Sequence, residues 1–199
     1  NSAEDIHLHE GRLTLYRGAV PDPDGALLAR LIATIAWRQE QITLFGKRHL
    51  QPRLSAWYGD PGASYRYSGL DNTPGAWTGE LQALREQVQD TCGHRFNSVL
   101  LNYYRDGADA MGMHADDEPE LGPEPVIASL SLGATRRMRF VHRRRLVEPL
   151  ALELEHGSLL LMAGATQRNW KHGIGRTKRP CGPRVNLTFR QVMPSRGGG

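Results

Sequence analysis

The sequence predicts an α+β domain in which two N-terminal helices back a β-rich core. Three observations carry that expectation. Apolar residues recur at helical spacing in two segments of the first half. The second half breaks into short runs of β-branched and apolar residues bounded by Gly or Pro. Finally, 199 residues at 39% apolar fit one compact domain, with 22 Gly and 12 Pro to supply its turns.

Taken in order, the chain opens with an extended segment carrying Leu13 and Leu15. Asp22 or Asp24 then caps a helix whose Leu27, Leu28, Leu31, Ile32 and Ile35 form one apolar face. A second helix starts after Thr78, buries Leu81, Leu84 and Val88, and stops at Gly93, which accepts the left-handed conformation that follows a helix end. Strands are expected at 96–104, 126–132, 137–142, 150–154, 158–162 and 184–192. Helices followed by a run of strands argue for α+β rather than for alternating α/β.

Composition removes several classes. The longest apolar stretches, 126–134 and 158–163, fall far short of the roughly 20 residues of a membrane-spanning helix, so no membrane partner is expected. Residues 1–10 are polar and acidic without an apolar signal core, and the chain opens without Met, as a trimmed one would. Cys92 and Cys181 lie far apart without CxxC spacing, which excludes a disulfide framework and a thiolate zinc site. An intracellular, reducing location is expected, cytoplasmic in a bacterium and nuclear in a eukaryote.

Charge is unevenly placed. The net +4 conceals a stretch, 136–184, with twelve basic residues against three acidic ones, six of them arginines in 136–145. Such density attracts a polyanion, and a solvated surface accounts for it as well.

The last strand carries chemistry. Arg184, Asn186, Thr188 and Arg190 share one face of an extended segment, and Val185, Leu187 and Phe189 share the other. Asn102 and Tyr104 also point together at the end of an apolar run, so a small barrel would collect these polar groups inside. An exposed sheet would instead turn them to water. Two arginines inside a barrel need an anion, which points to a bound dicarboxylate or phosphate.

Between these strands lies His114-Ala115-Asp116-Asp117-Glu118. In extended chain His114 and Asp116 project to one side, and His172 follows 58 residues after His114. Two imidazoles and one carboxylate on one face of an octahedron leave open positions, as in non-haem Fe(II) oxygenases. A hydrolytic zinc site uses the same ligand types, and a hydrated acidic turn uses the same acidic triplet. Paired arginines nearby favour an iron site with a carboxylate-bearing cosubstrate.

The series Phe96-Asn97-Ser98-Val99-Leu100-Leu101-Asn102-Tyr103-Tyr104, His114-Ala115-Asp116-Asp117-Glu118, Ile127-Ala128-Ser129-Leu130-Ser131-Leu132-Gly133-Ala134, His156-Gly157-Ser158-Leu159-Leu160 and Pro183-Arg184-Val185-Asn186-Leu187-Thr188-Phe189-Arg190 resembles the AlkB family of nucleic-acid dealkylases over residues 51–192. The resemblance implies a double-stranded β-helix, or jelly roll, that holds Fe(II) and 2-oxoglutarate and consumes O2. It divides the one compact domain into an N-terminal part, 1–95, with helices, nucleotide-recognition lid and hairpin finger, a catalytic core, 96–193, and a flexible tail, 194–199. It implies His114, Asp116 and His172 as iron ligands and catalytic centre. Asn102, Tyr104, Asn186 and Thr188 would hydrogen-bond 2-oxoglutarate, Arg184 would pair with its distal carboxylate, and Arg190 would support the end near the metal.

The implied activity is oxidative demethylation of DNA bases, with 1-methyladenine and 3-methylcytosine as substrates and succinate, carbon dioxide and formaldehyde as products. Tyr67 would stack on the base, Tyr65 would hydrogen-bond, and Asp117 and Glu118 would meet the cationic base edge. Residues 41–49 read as a hairpin whose Phe45 resembles the finger inserted into a duplex; Phe45 serves equally as a core residue. A monomer acting on DNA is expected. Methylated RNA and protein hydroxylation stay open, as does a non-catalytic β-barrel that only binds nucleic acid.

Overall fold

The computed structural model describes residues 2–64, 66–67, 70–71 and 73–193. Two antiparallel sheets face one another. The larger takes its strands in the order β1 (Ala3–Ile6), β2 (Arg12–Tyr16), β13 (Leu159–Ala163), β10 (Ile127–Gly133), β15 (Arg184–Arg190), β8 (Ser98–Tyr104) and β5 (Leu54–Gly59). The smaller runs β12 (Leu150–Leu154), β11 (Arg136–His142), β14 (Trp170–Ile174) and β9 (Met111–His114). Two hairpins stand apart: β3 (Gln41–Leu44) with β4 (Lys47–Leu50), and β6 (Arg66–Tyr67) with β7 (Leu70–Asp71). This facing pair of antiparallel sheets is a jelly roll.

Both helices form where their caps and apolar faces require. In α1 (Ala26–Thr34) the Asp22 carboxylate accepts from the amides of Leu27 and Leu28 at 2.9 and 3.0 Å, and Asp24 from Ala26 at 3.3 Å. In α2 (Gly79–Cys92) Thr78 accepts from the Leu81 amide, Glu80 sits in the first turn, and Gly93 closes the helix at φ 73°. A third, one-turn helix, α3 (Thr166–Asn169), precedes β14 and carries no apolar period by which the sequence announces it.

The central sheet is buried on both faces. Val185, Leu187 and Phe189 of β15 meet Leu31, Ile35, Leu81, Leu84 and Val88 in the core beneath the helices. On its other side Leu13, Leu15, Ile127, Leu160 and Met162 meet Met138, Phe140, Trp170 and Ile174 of the smaller sheet. Residues 1–95 therefore do more than back a core, because β1, β2 and β5 extend the same sheet that holds β8 and β15. Residues 194–199 lie outside the described part of the chain. Among the described residues no helix is long and apolar enough to cross a membrane.

Candidate functional site

Register places the polar residues of β15. Paired with β8, Arg184 lies opposite Tyr104, Asn186 opposite Asn102, and Arg190 opposite Ser98. Strand alternation sends Arg184, Asn186, Thr188 and Arg190 into the space between the sheets, where all four are buried. Neighbouring β10 supplies hydroxyls: Arg184 donates to Ser131 Oγ at 2.9 Å, and Asn186 Nδ2 to Ser129 Oγ at 2.7 Å. Thr188 Oγ1 donates to Asn186 Oδ1 at 2.7 Å. Ser129 and Ser131 are site residues that the sequence reading passed over, although their alternation with Ala128, Leu130 and Leu132 is the same period-2 signal.

The smaller sheet brings up the imidazoles. His114 on β9 and His172 on β14 are directly paired, with ring centroids 4.5 Å apart, and Asp116 follows two residues beyond His114. One ligand atom from each of His114, Asp116 and His172 lies within 4.8 Å of the others. His114 Nδ1 donates to the Gly112 carbonyl at 2.9 Å, which fixes the tautomer that leaves Nε2 its lone pair. Asp116 Oδ1 accepts from Arg190 at 2.6 Å, while Oδ2, buried and without a hydrogen bond, lies 3.8 Å from His172 Nε2.

Electrostatics suits a cation. Burial opposes the charge on Asp116, yet the Arg190 guanidinium and the two imidazoles hold its pKa down at about 2. Burial, with His114 and Arg190 adding to it, pushes His172 down to about 3, so this imidazole is neutral at neutral pH, the form that binds metal. A buried carboxylate oxygen lacking a donor among the described residues, close to ring nitrogens of His114 and His172, fits a divalent ion.

An anion is wanted next to it. Arg184 is buried beneath the Tyr104 ring, 5.1 Å from its centroid, and among the described residues no carboxylate pairs with it. Its Nε and Nη1 are buried without hydrogen-bond partners. Burial pushes this guanidinium below the usual arginine value, the cost of a charge lacking its counterion. Tyr104, His114, Asp116, His172, Arg184, Asn186, Thr188 and Arg190 line one pocket, so the metal cluster and the unpaired arginine share a cavity.

Asn102, paired with Asn186 across β8 and β15, faces the same side; its Oδ1 accepts from Arg53 Nε at 2.9 Å, and its Nδ2 is buried with no hydrogen-bond partner among the described residues. The remaining expected site residues stand elsewhere. Asp117 is exposed and bound to Arg143 at 2.6 Å. Glu118 is half-buried, its Oε2 has no hydrogen bond, and burial raises its pKa. Phe45 is 104% exposed at the tip of the β3–β4 hairpin at φ 49°, which rules out a core role. Tyr65 lies outside the described residues, and Tyr67 is placed only as backbone of β6.

The arginine run resolves into individual contacts. Arg136 is buried and donates to the carbonyls of Asp106, Asp109 and Gly175. Arg137 pairs with Glu153, Arg143 with Asp117 and Arg144 with Glu10. Much of this charge is thus committed within the fold.

A jelly roll enclosing two histidines and a carboxylate, beside an arginine without a counterion, defines a non-haem iron oxygenase with an anionic cosubstrate. Comparison with known proteins agrees. The sequence pattern of the 2OG-Fe(II) oxygenase superfamily matches residues 13–190. The DNA oxidative demethylase ALKBH2 of Mus musculus is 45% identical over 163 residues, covering 78% of this chain and 68% of that protein. The alpha-ketoglutarate-dependent dioxygenase alkB homolog 3 of Homo sapiens is 40% identical over 195 residues, covering 92% and 67%. The solved structure of OsALKBH1 superposes with a TM-score of 0.67 at 17% identity over 94% of this chain and 100% of that one, a likeness of fold. The chain belongs to the AlkB family of the 2OG-Fe(II) oxygenase superfamily. It is a dioxygenase that uses Fe(II), 2-oxoglutarate and O2 for oxidative demethylation of nucleic acid.

Proposed function

We propose that this enzyme repairs DNA by oxidative removal of N-methyl groups from 1-methyladenine and 3-methylcytosine. The observation that carries the reading is the shared cavity of the His114, Asp116 and His172 cluster and the uncompensated Arg184, in a chain 45% identical to a DNA oxidative demethylase. His114, Asp116 and His172 would hold Fe(II), and Arg184 the distal carboxylate of 2-oxoglutarate. Asn102, Tyr104, Asn186 and Thr188 would hydrogen-bond the keto acid. Fe(II) so held would supply the O2-activating chemistry that oxidises an N-methyl group at the expense of 2-oxoglutarate, with succinate, carbon dioxide and formaldehyde as the products.

The protein supplies position and exclusion of water. Arg190 keeps Asp116 ionised and turned, so that Oδ2 faces the metal position. Both substrates are cationic near neutral pH, so stacking on Tyr67, a hydrogen bond from Tyr65, and the acidic Asp117 and Glu118 would favour them over ordinary bases. Reaching a methyl group in a duplex requires the base to leave the stack. Exposed Phe45, followed by Lys47, Arg48 and His49, suits a wedge that fills the gap while cations meet phosphate.

The test is a competition among methylated DNA, methylated RNA and a methylated peptide, with formaldehyde and succinate followed together. Matched release of both with DNA is expected. Turnover confined to RNA or to peptide would move the substrate class, and succinate with no formaldehyde on any of them would remove demethylation.

A further inference from the structure

Resting on the metal-centre reading above, we propose that Gln167 is a positioning residue for Asp116, holding the carboxylate ligand in place from behind. Asp116 belongs to no strand: it follows the last residue of β9, and its backbone needs an anchor of its own. Gln167 Oε1 accepts from the Asp116 amide at 2.9 Å, and both residues are 1% exposed. An amide so buried has no water to fall back on. The other end of the same side chain, Nε2, donates to Met162 Sδ at 3.6 Å, and Met162 lines the metal cavity.

The support behind Gln167 is rigid. In α3 the neighbouring Thr166 donates to the Ala163 carbonyl at 2.6 Å and accepts from the Arg12 amide at 2.9 Å, tying the turn to β13 and β2. Arg143 adds an outer brace, reaching the Gln167 carbonyl at 3.2 Å and the Asp117 carboxylate at 2.6 Å. Asp116 is therefore held directly from α3, five residues ahead of His172 in the chain, and Asp117 through Arg143, which also grips α3. One short turn thus links the loop that carries the carboxylate to the strand that carries its partner imidazole.

Groups behind metal ligands govern affinity more than stability. The experiment titrates Co(II) into metal-free protein, follows its visible absorption, and measures thermal unfolding of the same samples without metal. Gln167→Leu should weaken Co(II) binding about 10- to 100-fold, a loss larger than the modest fall in unfolding midpoint that an unsatisfied buried amide brings. Gln167→Glu, which keeps an acceptor at the same reach, should bind within a few-fold of the wild type. If the Leu variant does not fold, Gln167→Asn, polar but one methylene short, decides by the same titration. Affinity unchanged in the Leu or Asn variant, or lost only in step with stability, overturns the role of Gln167. Asp116→Ala serves as the reference: if it too binds Co(II) normally, the metal-centre reading fails, whereas its loss beside an unaffected Gln167 variant removes the present proposal alone.

Discussion

Arg190 and Asp116, 74 residues apart in sequence and both buried, form a 2.6 Å charge-assisted hydrogen bond that ties the larger sheet to the ligand loop of the smaller one. A buried pair of this kind adds little against an apolar substitute, but removing one partner leaves the other charge stranded. Arg190→Met should therefore destabilise the metal-free protein by about 3–5 kcal/mol. Arg190→Lys, which keeps the charge without the planar fork, should fall between. Urea unfolding of both variants checks this, and equal midpoints for Met and wild type would contradict it.

Arg184 makes the second prediction. Its Nε and Nη1 lie buried without hydrogen-bond partners among the described residues, in a side chain that lines the same pocket as the histidines. A planar guanidinium matches a carboxylate through two parallel bonds, and an ammonium matches it through one. Arg184→Lys should raise the 2-oxoglutarate concentration for half-maximal turnover by roughly tenfold or more, with a smaller change in the methylated-DNA dependence. A superimposable 2-oxoglutarate saturation curve would refute the assignment.

Gly173 lies on β14 next to His172 and packs against β9. A Cβ there would come within 2.8 Å of the Met111 carbonyl oxygen, 3.0 Å of Met113 Sδ and 3.1 Å of the Gly112 carbonyl carbon. The backbone contacts cannot swing aside, so a side chain would push β9, and His114 with it, away from β14. Gly173→Ala should cost about 1–3 kcal/mol and weaken Co(II) binding. Unaltered stability and affinity together would show that β9 yields without cost.

How much of this was readable beforehand depends on whether a residue's neighbours in sequence or in space decide its state. The caps at Asp22 and Thr78 and the alternation in β15 are local, and the sequence shows them. So is the His-x-Asp spacing, since an extended segment puts both side chains on one side. By contrast β14, Trp170-Lys171-His172-Gly173-Ile174, mixes a charge and a glycine and becomes a strand only by pairing with β11 and β9. Arg136 reads as surface charge but is buried, because three carbonyls from distant loops converge on it. Gln167 is likewise silent until α3 folds back on the ligand loop.

A pH dependence follows from Asp109. Burial raises its pKa, but three hydrogen bonds from the Arg105 amide and guanidinium outweigh that and bring it below the ordinary aspartate value. A carboxylate whose folded pKa is depressed contributes stability above its unfolded pKa of about 3.9, and loses that contribution as pH falls through the lower folded value. Asp109→Asn should be less stable than wild type at neutral pH, and the difference should shrink as the solution is acidified below pH about 4. Unfolding midpoints at neutral and acid pH provide the check, and a constant difference would remove Asp109 from the acid limb.

Phe45 separates substrate handling from folding. Its side chain is 104% exposed, so removing it deletes no core contact, and stability should change by less than about 0.5 kcal/mol. On single-stranded methylated DNA, which has no partner strand to collapse into the gap, Phe45→Ala should turn over nearly as wild type. On a duplex the extruded base leaves a vacancy whose unstacking costs a few kcal/mol, and without the ring that cost returns to the reaction. The duplex-to-single-strand ratio of turnover should then fall, by about tenfold for each 1.4 kcal/mol of stacking lost. Parallel formaldehyde assays on the two substrates measure the ratio directly. An unchanged ratio would mean that the hairpin reads the backbone through Lys47 and Arg48 and takes no place in the stack.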